Sequence, residues 1–162
     1  MTVVVIGPPG SGKSSVGRCL AGELGKPFVD TDERLVSQHG PISEIFARAG
    51  ESHFRQLERK SVHRALKEDA VVALGGGAVL DLETQYELSS RRVVLLSVNA
   101  ASVESRLTGS HRPLVGDLDS WIALNDSRQA LYQSLADLQV DTSGRSRHEI
   151  VAEIAKWVRE RP

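Results

Sequence analysis

Short continuous apolar runs alternate along this chain with longer stretches in which apolar residues return every three or four positions. Val3–Ile6, Val71–Leu74 and Val93–Val98 are Val-rich runs, each followed by Gly, Asn or a polar turn. Runs of this length without polar alternation predict strands buried on both faces, as in a parallel sheet. Phe28–Val29 and Gln139–Val140 are shorter candidates. Between the runs the spacing is helical: Val16, Leu20 and Leu24 ahead of Gly25, then Phe54, Leu57, Val62 and Leu66. A third stretch, Leu118 to Leu138, carries Trp121, Ile122, Leu124, Leu131, Leu135 and Leu138, and predicts a long helix. Ser146 and Glu149 have capping-box spacing ahead of Ile150, Ile154, Trp157 and Val158, one apolar face of a closing helix in which Trp157 is core packing. The β-α-β-α alternation predicts the α/β class.

Composition narrows this picture only slightly. The 162 residues show no repeat, low-complexity tract or linker, so one domain spanning 1–162 is expected. The formal net charge of −1 gives no general attraction to nucleic acid or to an anionic membrane, so any anionic ligand must be held by locally placed basic groups. Thr2–Ile6 is far shorter than the roughly 20 apolar residues of a membrane span, and a cytoplasmic location with no export is expected. Cys19, the single cysteine, rules out an intrachain disulfide, fits a reducing compartment, and reads as an inert apolar filler on a helix. Thr108 to Asp119 lacks periodicity and contains Gly109, His111, Arg112, Pro113 and Gly116; it reads as a mobile loop, either a plain surface connection or a lid.

The strongest signal follows the first strand directly. Gly7-Pro8-Pro9-Gly10-Ser11-Gly12-Lys13-Ser14 matches G-x-x-x-x-G-K-S/T with a strand before it and a helix after it. Glycines let successive backbone N–H groups point at phosphates, and the helix adds its positive N-terminal end. Lys13 reaches the β/γ oxygens and the Ser14 hydroxyl suits Mg²⁺, so ATP and Mg²⁺ are the expected ligands around Gly10, Ser11, Gly12, Lys13, Ser14 and Ser15. A phosphate loop alone does not separate a kinase from a GTPase or a motor ATPase. The guanine-binding N-K-x-D string is missing, and Val93–Val98 runs into Asn99 rather than an acid. The acid can come from Asp30-Thr31-Asp32, after the second strand. Carboxyl ends of parallel strands share one crevice, so one of these carboxylates could serve the metal and the other an attacking hydroxyl. Alternatively, Asp30 ends the strand and Asp32 caps the next helix.

Taken in order, these residues resemble the shikimate kinases, a branch of the P-loop kinases related in fold to the nucleoside monophosphate kinases. The resemblance runs from Val3 to about Thr142 and joins the phosphate loop, Asp30-Thr31-Asp32, Phe54-Arg55, Gly75-Gly76-Gly77-Ala78, Arg112-Pro113-Leu114, and Arg128 with Leu131-Tyr132. It implies a three-layer fold with a five-stranded parallel sheet flanked by helices and a mobile lid at about 108–119. It also implies MgATP-dependent phosphorylation of the 3-hydroxyl of shikimate by a monomer, in aromatic amino acid biosynthesis. Lys13, Asp32 and Arg112 would be catalytic, Asp30 and Ser14 would serve the metal, and Arg106 and Arg112 would contact the nucleotide. The acceptor would meet Asp32, Arg55, Gly75, Gly76, Gly77 and Arg128, with Arg55 and Arg128 on its carboxylate. Planar guanidinium forks suit a carboxylate, and a Gly triplet after a strand permits close backbone approach. Read without the resemblance, Arg55 could equally be a helix-surface ion pair with Glu51 and Glu58. Ala130 departs from the Pro common in the family at that place, and the segment from Arg106 to Arg128 is compact. Other expectations remain open: a related kinase for gluconate or a nucleotide, or a nucleotide-binding module without catalysis.

Overall fold

The computed structural model describes residues 1–107 and 117–161. In chain order the elements are β1 (Val3–Ile6), α1 (Lys13–Leu24), β2 (Phe28–Asp30), α2 (Thr31–His39), α3 (Ile42–Ala65), β3 (Val71–Ala73), a 3₁₀ turn (Ala78–Leu80), α4 (Leu82–Leu88), β4 (Arg92–Ser97), α5 (Ala100–Leu107), α6 (Leu118–Leu135), β5 (Leu138–Asp141) and α7 (Arg147–Arg159). All strand pairs are parallel and the order is β2-β3-β1-β4-β5.

Side chains alternate across a strand, so a sheet covered on both sides needs apolar residues at every position. β1 shows this directly. Val4 and Ile6 join Val62, Leu66, Leu95 and Tyr132 in one core layer, while Val3 and Val5 join Val16, Leu20, Val94 and Ile154 in the other. Helices α3, α4 and α6 contribute to the first layer, and α1 and α7 to the second. The three-layer arrangement with a five-stranded parallel sheet is as the resemblance implied.

Several boundaries differ from the expectations. The long helix predicted to reach Leu138 stops at Leu135, and Leu138 opens β5, whose register against Val94 recruits it to the sheet edge. The segment expected to be a loop through Asp119 ends earlier: Asp117 caps α6, accepting from Ser120 N at 2.6 Å, so Leu118 and Asp119 are helical. Residues 108–116 of that expected lid lie outside the described residues. Asp30, rather than Asp32, caps α2, with Oδ1 accepting from the amides of Asp32 and Glu33 at 3.0 Å each. Cys19 lies on the exposed face of α1 rather than filling the core. Ser146 caps α7 as expected, accepting from Glu149 N at 3.2 Å, and Trp157 packs against the α1–α7 layer. Within α3, Gly50 takes φ 83° and ψ 170°, which breaks the helix into two parts at a kink. Phe46 and Phe54, on either side of the break, bring their rings to 5.0 Å. Among the described residues no helix is long and apolar enough to cross a membrane.

The strand order reverses direction around β1: the chain leaves β1 for β2, returns to β3 between them, then crosses to β4 on the far side. The crevice at the carboxyl ends therefore gathers the loops after β2, β3 and β1 next to one another.

Candidate active site

The phosphate loop is held open by its own carbonyls. Lys13 Nζ donates to the carbonyls of Gly7 at 2.8 Å and Pro8 at 3.1 Å. Ser11 Oγ donates to Pro8 O at 2.8 Å, Arg106 to Gly10 O at 2.6 Å, and Thr142 Oγ1 to Ser11 O at 3.0 Å. These bonds fix the loop carbonyls, and Gly7, Gly10 and Gly12 take positive φ, the kind of backbone from which anion nests are built. Gly12, at φ 94°, makes the left-handed turn into α1 that a residue with a Cβ would resist. Beside this loop lies a cavity of about 420 Å³ lined by Gly10, Ser11, Gly12, Ser15, Arg106, Thr142, Arg145 and Arg147. Arg147 donates to Ser15 Oγ at 2.7 Å. Arg145 and Arg147 were not singled out in the sequence, because nothing local ties α7 to the phosphate loop.

Ser14 Oγ donates to Asp30 Oδ2, so the two groups expected to serve a metal meet across α1 and β2. Asp30 thus uses one carboxylate oxygen to cap α2 and the other to face Ser14. Mg²⁺ prefers hard oxygen donors and keeps several waters and phosphate oxygens, so one hydroxyl and one carboxylate at the edge of a phosphate nest fit it. Among the described residues there is no group of three or more His, Cys, Asp or Glu that could hold a metal by itself.

Across the crevice the glycine triplet forms a seam against which the acceptor residues press. A Cβ built on Gly75 would stand 2.6 Å from Asp32 Oδ1, and one on Gly77 would stand 2.7 Å from an Arg55 guanidinium nitrogen. A Cβ on Gly76 would meet Pro9 Cδ at 3.4 Å and Arg128 at 3.6 Å. Three consecutive glycines therefore let Asp32 from α2, Arg55 from α3 and Arg128 from α6 converge on one stretch of backbone. Together with Pro9, Phe46, Phe54, Glu58 and Leu124 they line a pocket of about 140 Å³. Burial raises the Asp32 carboxyl pKa above its ordinary value and Asp30 adds to the rise, while Lys13 and Arg55 pull the other way. Burial likewise lifts Glu58, which accepts from Arg55 at 2.8 Å. Arg55 also lies 3.7 Å from Glu51. The helix ion pair and the pocket role are therefore compatible: Glu58, itself buried, holds the half-buried guanidinium at the pocket wall.

Two wall residues, and a third side chain bonded to the phosphate loop, carried no usable signal in the sequence. Phe46 lies on the far side of the Gly50 kink from Phe54, and the helical spacing of the sequence does not bring the two together. Glu58 is one acid in a charged helix until its burial is seen. Trp121, grouped with apolar helix positions, donates its indole N–H to Pro9 O at 2.7 Å. Arg112 lies outside the described residues.

Comparison with known proteins shows the family. The shikimate kinase family model matches residues 9–159, most of the chain. The chain belongs to the shikimate kinase family. A shikimate kinase of Streptomyces coelicolor is 44% identical over 154 residues, covering 91% of this chain and 90% of that protein. One from Corynebacterium efficiens is 39% identical over 157 residues, covering 94% and 93%. Among solved structures, shikimate kinase from Acinetobacter baumannii in complex with shikimate superposes with a TM-score of 0.91 at 28% identity, covering 98% of this chain and 93% of that one. Shikimate kinase from Aquifex aeolicus gives 0.82 at 30% identity, covering 98% and 96%. Kinases for gluconate or a nucleotide, and a binding module without catalysis, are not favoured by these likenesses.

Proposed function

We propose that this chain transfers the γ-phosphoryl group of ATP to the 3-hydroxyl of shikimate, with the residues around the glycine seam as the acceptor site. The observation that carries the assignment of residues is the convergence of Asp32, Arg55 and Arg128 on Gly75–Gly77, across the crevice from Lys13. Arg55 and Arg128 supply two planar forks for one carboxylate, and the small pocket between Phe46, Phe54 and Leu124 accepts a ring. Asp32 accepts a hydrogen bond from the ring hydroxyl and takes its proton as the hydroxyl oxygen bonds to the γ-phosphorus. The bond from that phosphorus to the β,γ-bridging oxygen breaks and ADP leaves. A carboxyl whose pKa burial has raised is a better base than an exposed one, which suits this role. Lys13, now resting on loop carbonyls, exchanges them for phosphate oxygens when nucleotide binds. Ser14 and Asp30 would hold Mg²⁺, which would supply positive charge to offset that on the phosphates. The cavity beside Arg106, Arg145 and Arg147 takes the rest of the nucleotide. A contact of Arg112 with the transferring group rests on the family resemblance alone.

A single-domain, monomeric enzyme acting in the cytoplasm is part of this proposal. The test is a panel of acceptors in a coupled ADP-release assay. Shikimate should turn over far better than gluconate or any nucleoside monophosphate; no turnover with shikimate rejects the proposal.

A further inference from the structure

Helix α6 touches both halves of the site. Trp121, Leu124, Arg128 and Tyr132 follow one another along it at spacings of three, four and four, which puts them on one face. Leu124 and Arg128 line the acceptor pocket. The outer pair bond to the main chain of two different loops. Tyr132 donates its hydroxyl to Gly76 O at 2.6 Å, and Trp121 donates its indole N–H to Pro9 O at 2.7 Å.

Pro9 belongs to both sites at once. In the phosphate loop it lies between Pro8, whose carbonyl accepts from Lys13, and Gly10, whose carbonyl accepts from Arg106. Its ring lines the acceptor pocket, against Gly76. The Trp121 ring, 3% exposed, is packed against Val98 and Val103, and Val103 also borders Gly10. It cannot leave Pro9 without opening that cluster. The packed contacts leave little slack between α6 and the carbonyl of Pro9.

We propose that Trp121 is a positioning residue that couples the acceptor and nucleotide sites. Acceptor carboxylate on Arg128 fixes α6, and the Trp121–Pro9 hydrogen bond then sets the phosphate loop for nucleotide, so each ligand tightens the other. Reciprocity follows from linkage. The inference rests on the acceptor carboxylate being gripped at Arg128, as proposed above.

The experiment is calorimetric titration of MgADP into wild type and Trp121→Phe, each with and without saturating shikimate. Phe keeps the ring packing and removes the donor. In wild type, shikimate should tighten MgADP roughly three- to tenfold, the scale of one net hydrogen bond. In Trp121→Phe that factor should fall below about twofold, with KM values raised and kcat at saturation little changed. A merely structural role would lower kcat through loss of folded enzyme and leave the factor intact. Equal factors in the two proteins, or no tightening in wild type, overturn the coupling. Turnover of shikimate by wild type is read separately, so a failure of the functional assignment is distinguishable from a failure of the coupling. Should Trp121→Phe not fold, Trp157→Phe leaves Trp121 as the single tryptophan. Its emission should then shift on adding shikimate without nucleotide, and an unchanged spectrum overturns the proposal.

Discussion

Gly75→Ala would bring a Cβ whose three nearest neighbours all belong to the Asp32 carboxylate. Gly75 does not have a positive φ, so the backbone there admits alanine. The new Cβ, however, would stand 2.6 Å from Asp32 Oδ1 and 2.8 Å from Oδ2. An ordinary contact is about 3.5 Å, so the carboxylate must retreat by about 1 Å. Asp32 has a short side chain whose helix is already capped by Asp30, and retreat means an off-rotamer side chain costing about 0.5–1.5 kcal/mol. That is a small stability loss, a fall in Tm of no more than about 5 °C for a chain of this size. For catalysis the effect is larger, because a 1 Å misplacement of a reacting group costs on the order of 10²-fold, or about 2.7 kcal/mol. Gly77→Ala is the matched control: its Cβ meets the tip of the long Arg55 side chain, which can swing. A coupled ADP-release assay at saturating ATP, with shikimate varied, should show Gly75→Ala losing kcat by about 10²-fold and Gly77→Ala mainly raising KM for shikimate. If Gly75→Ala kept kcat within about twofold of wild type while folded, Asp32 would not be the group that meets the hydroxyl.

The remaining expectations follow from the same contacts. Lys13→Ala should lower kcat sharply while the melting curve changes little, since its bonds to the Gly7 and Pro8 carbonyls lie within the phosphate loop; a kcat near wild type would contradict it. Arg55→Ala or Arg128→Ala should weaken shikimate by about 1.5–3 kcal/mol, the loss of a charge-assisted bond, read as KM. Arg55→Ala should in addition destabilise the fold, because it leaves buried Glu58 without its partner. Asp32→Asn should abolish turnover yet raise Tm at neutral pH. The native pKa of Asp32 is raised, so the folded state holds its proton more tightly than the unfolded chain does. The ionised carboxylate thus costs stability above the native pKa, and that cost disappears as pH falls to the ordinary 3.8. The Tm gap between Asp32→Asn and wild type should narrow on acidification; a gap that widened would refute the sign.

What could be read along the chain was whatever is local. The phosphate loop, the cap at Ser146 and the buried strands depend on neighbours in sequence, and they stand where the pattern put them. Leu138 was misplaced because helical spacing from Leu131 and Leu135 continues into it, whereas pairing with β4 decides its state. Asp30 and Asp32 were interchangeable on spacing alone, and only the α2 amides and Ser14 separate the cap from the pocket acid. The Gly triplet was noticed, but the reason for each glycine is a contact from a distant element: Asp32, Arg128 and Arg55 arrive from three helices. Trp121 looked like an apolar helix position, and Tyr132 stood only within the Leu131-Tyr132 pair of the resemblance, because the carbonyls they bond, Pro9 and Gly76, lie far away in the chain.

The account stands most squarely on a structure of the enzyme with shikimate and MgADP. It predicts the shikimate carboxylate between the Arg55 and Arg128 guanidinium groups, with the 3-hydroxyl on Asp32 and turned towards the phosphate loop. A carboxylate bound elsewhere, or an Asp32 without contact to any ring hydroxyl, would contradict it.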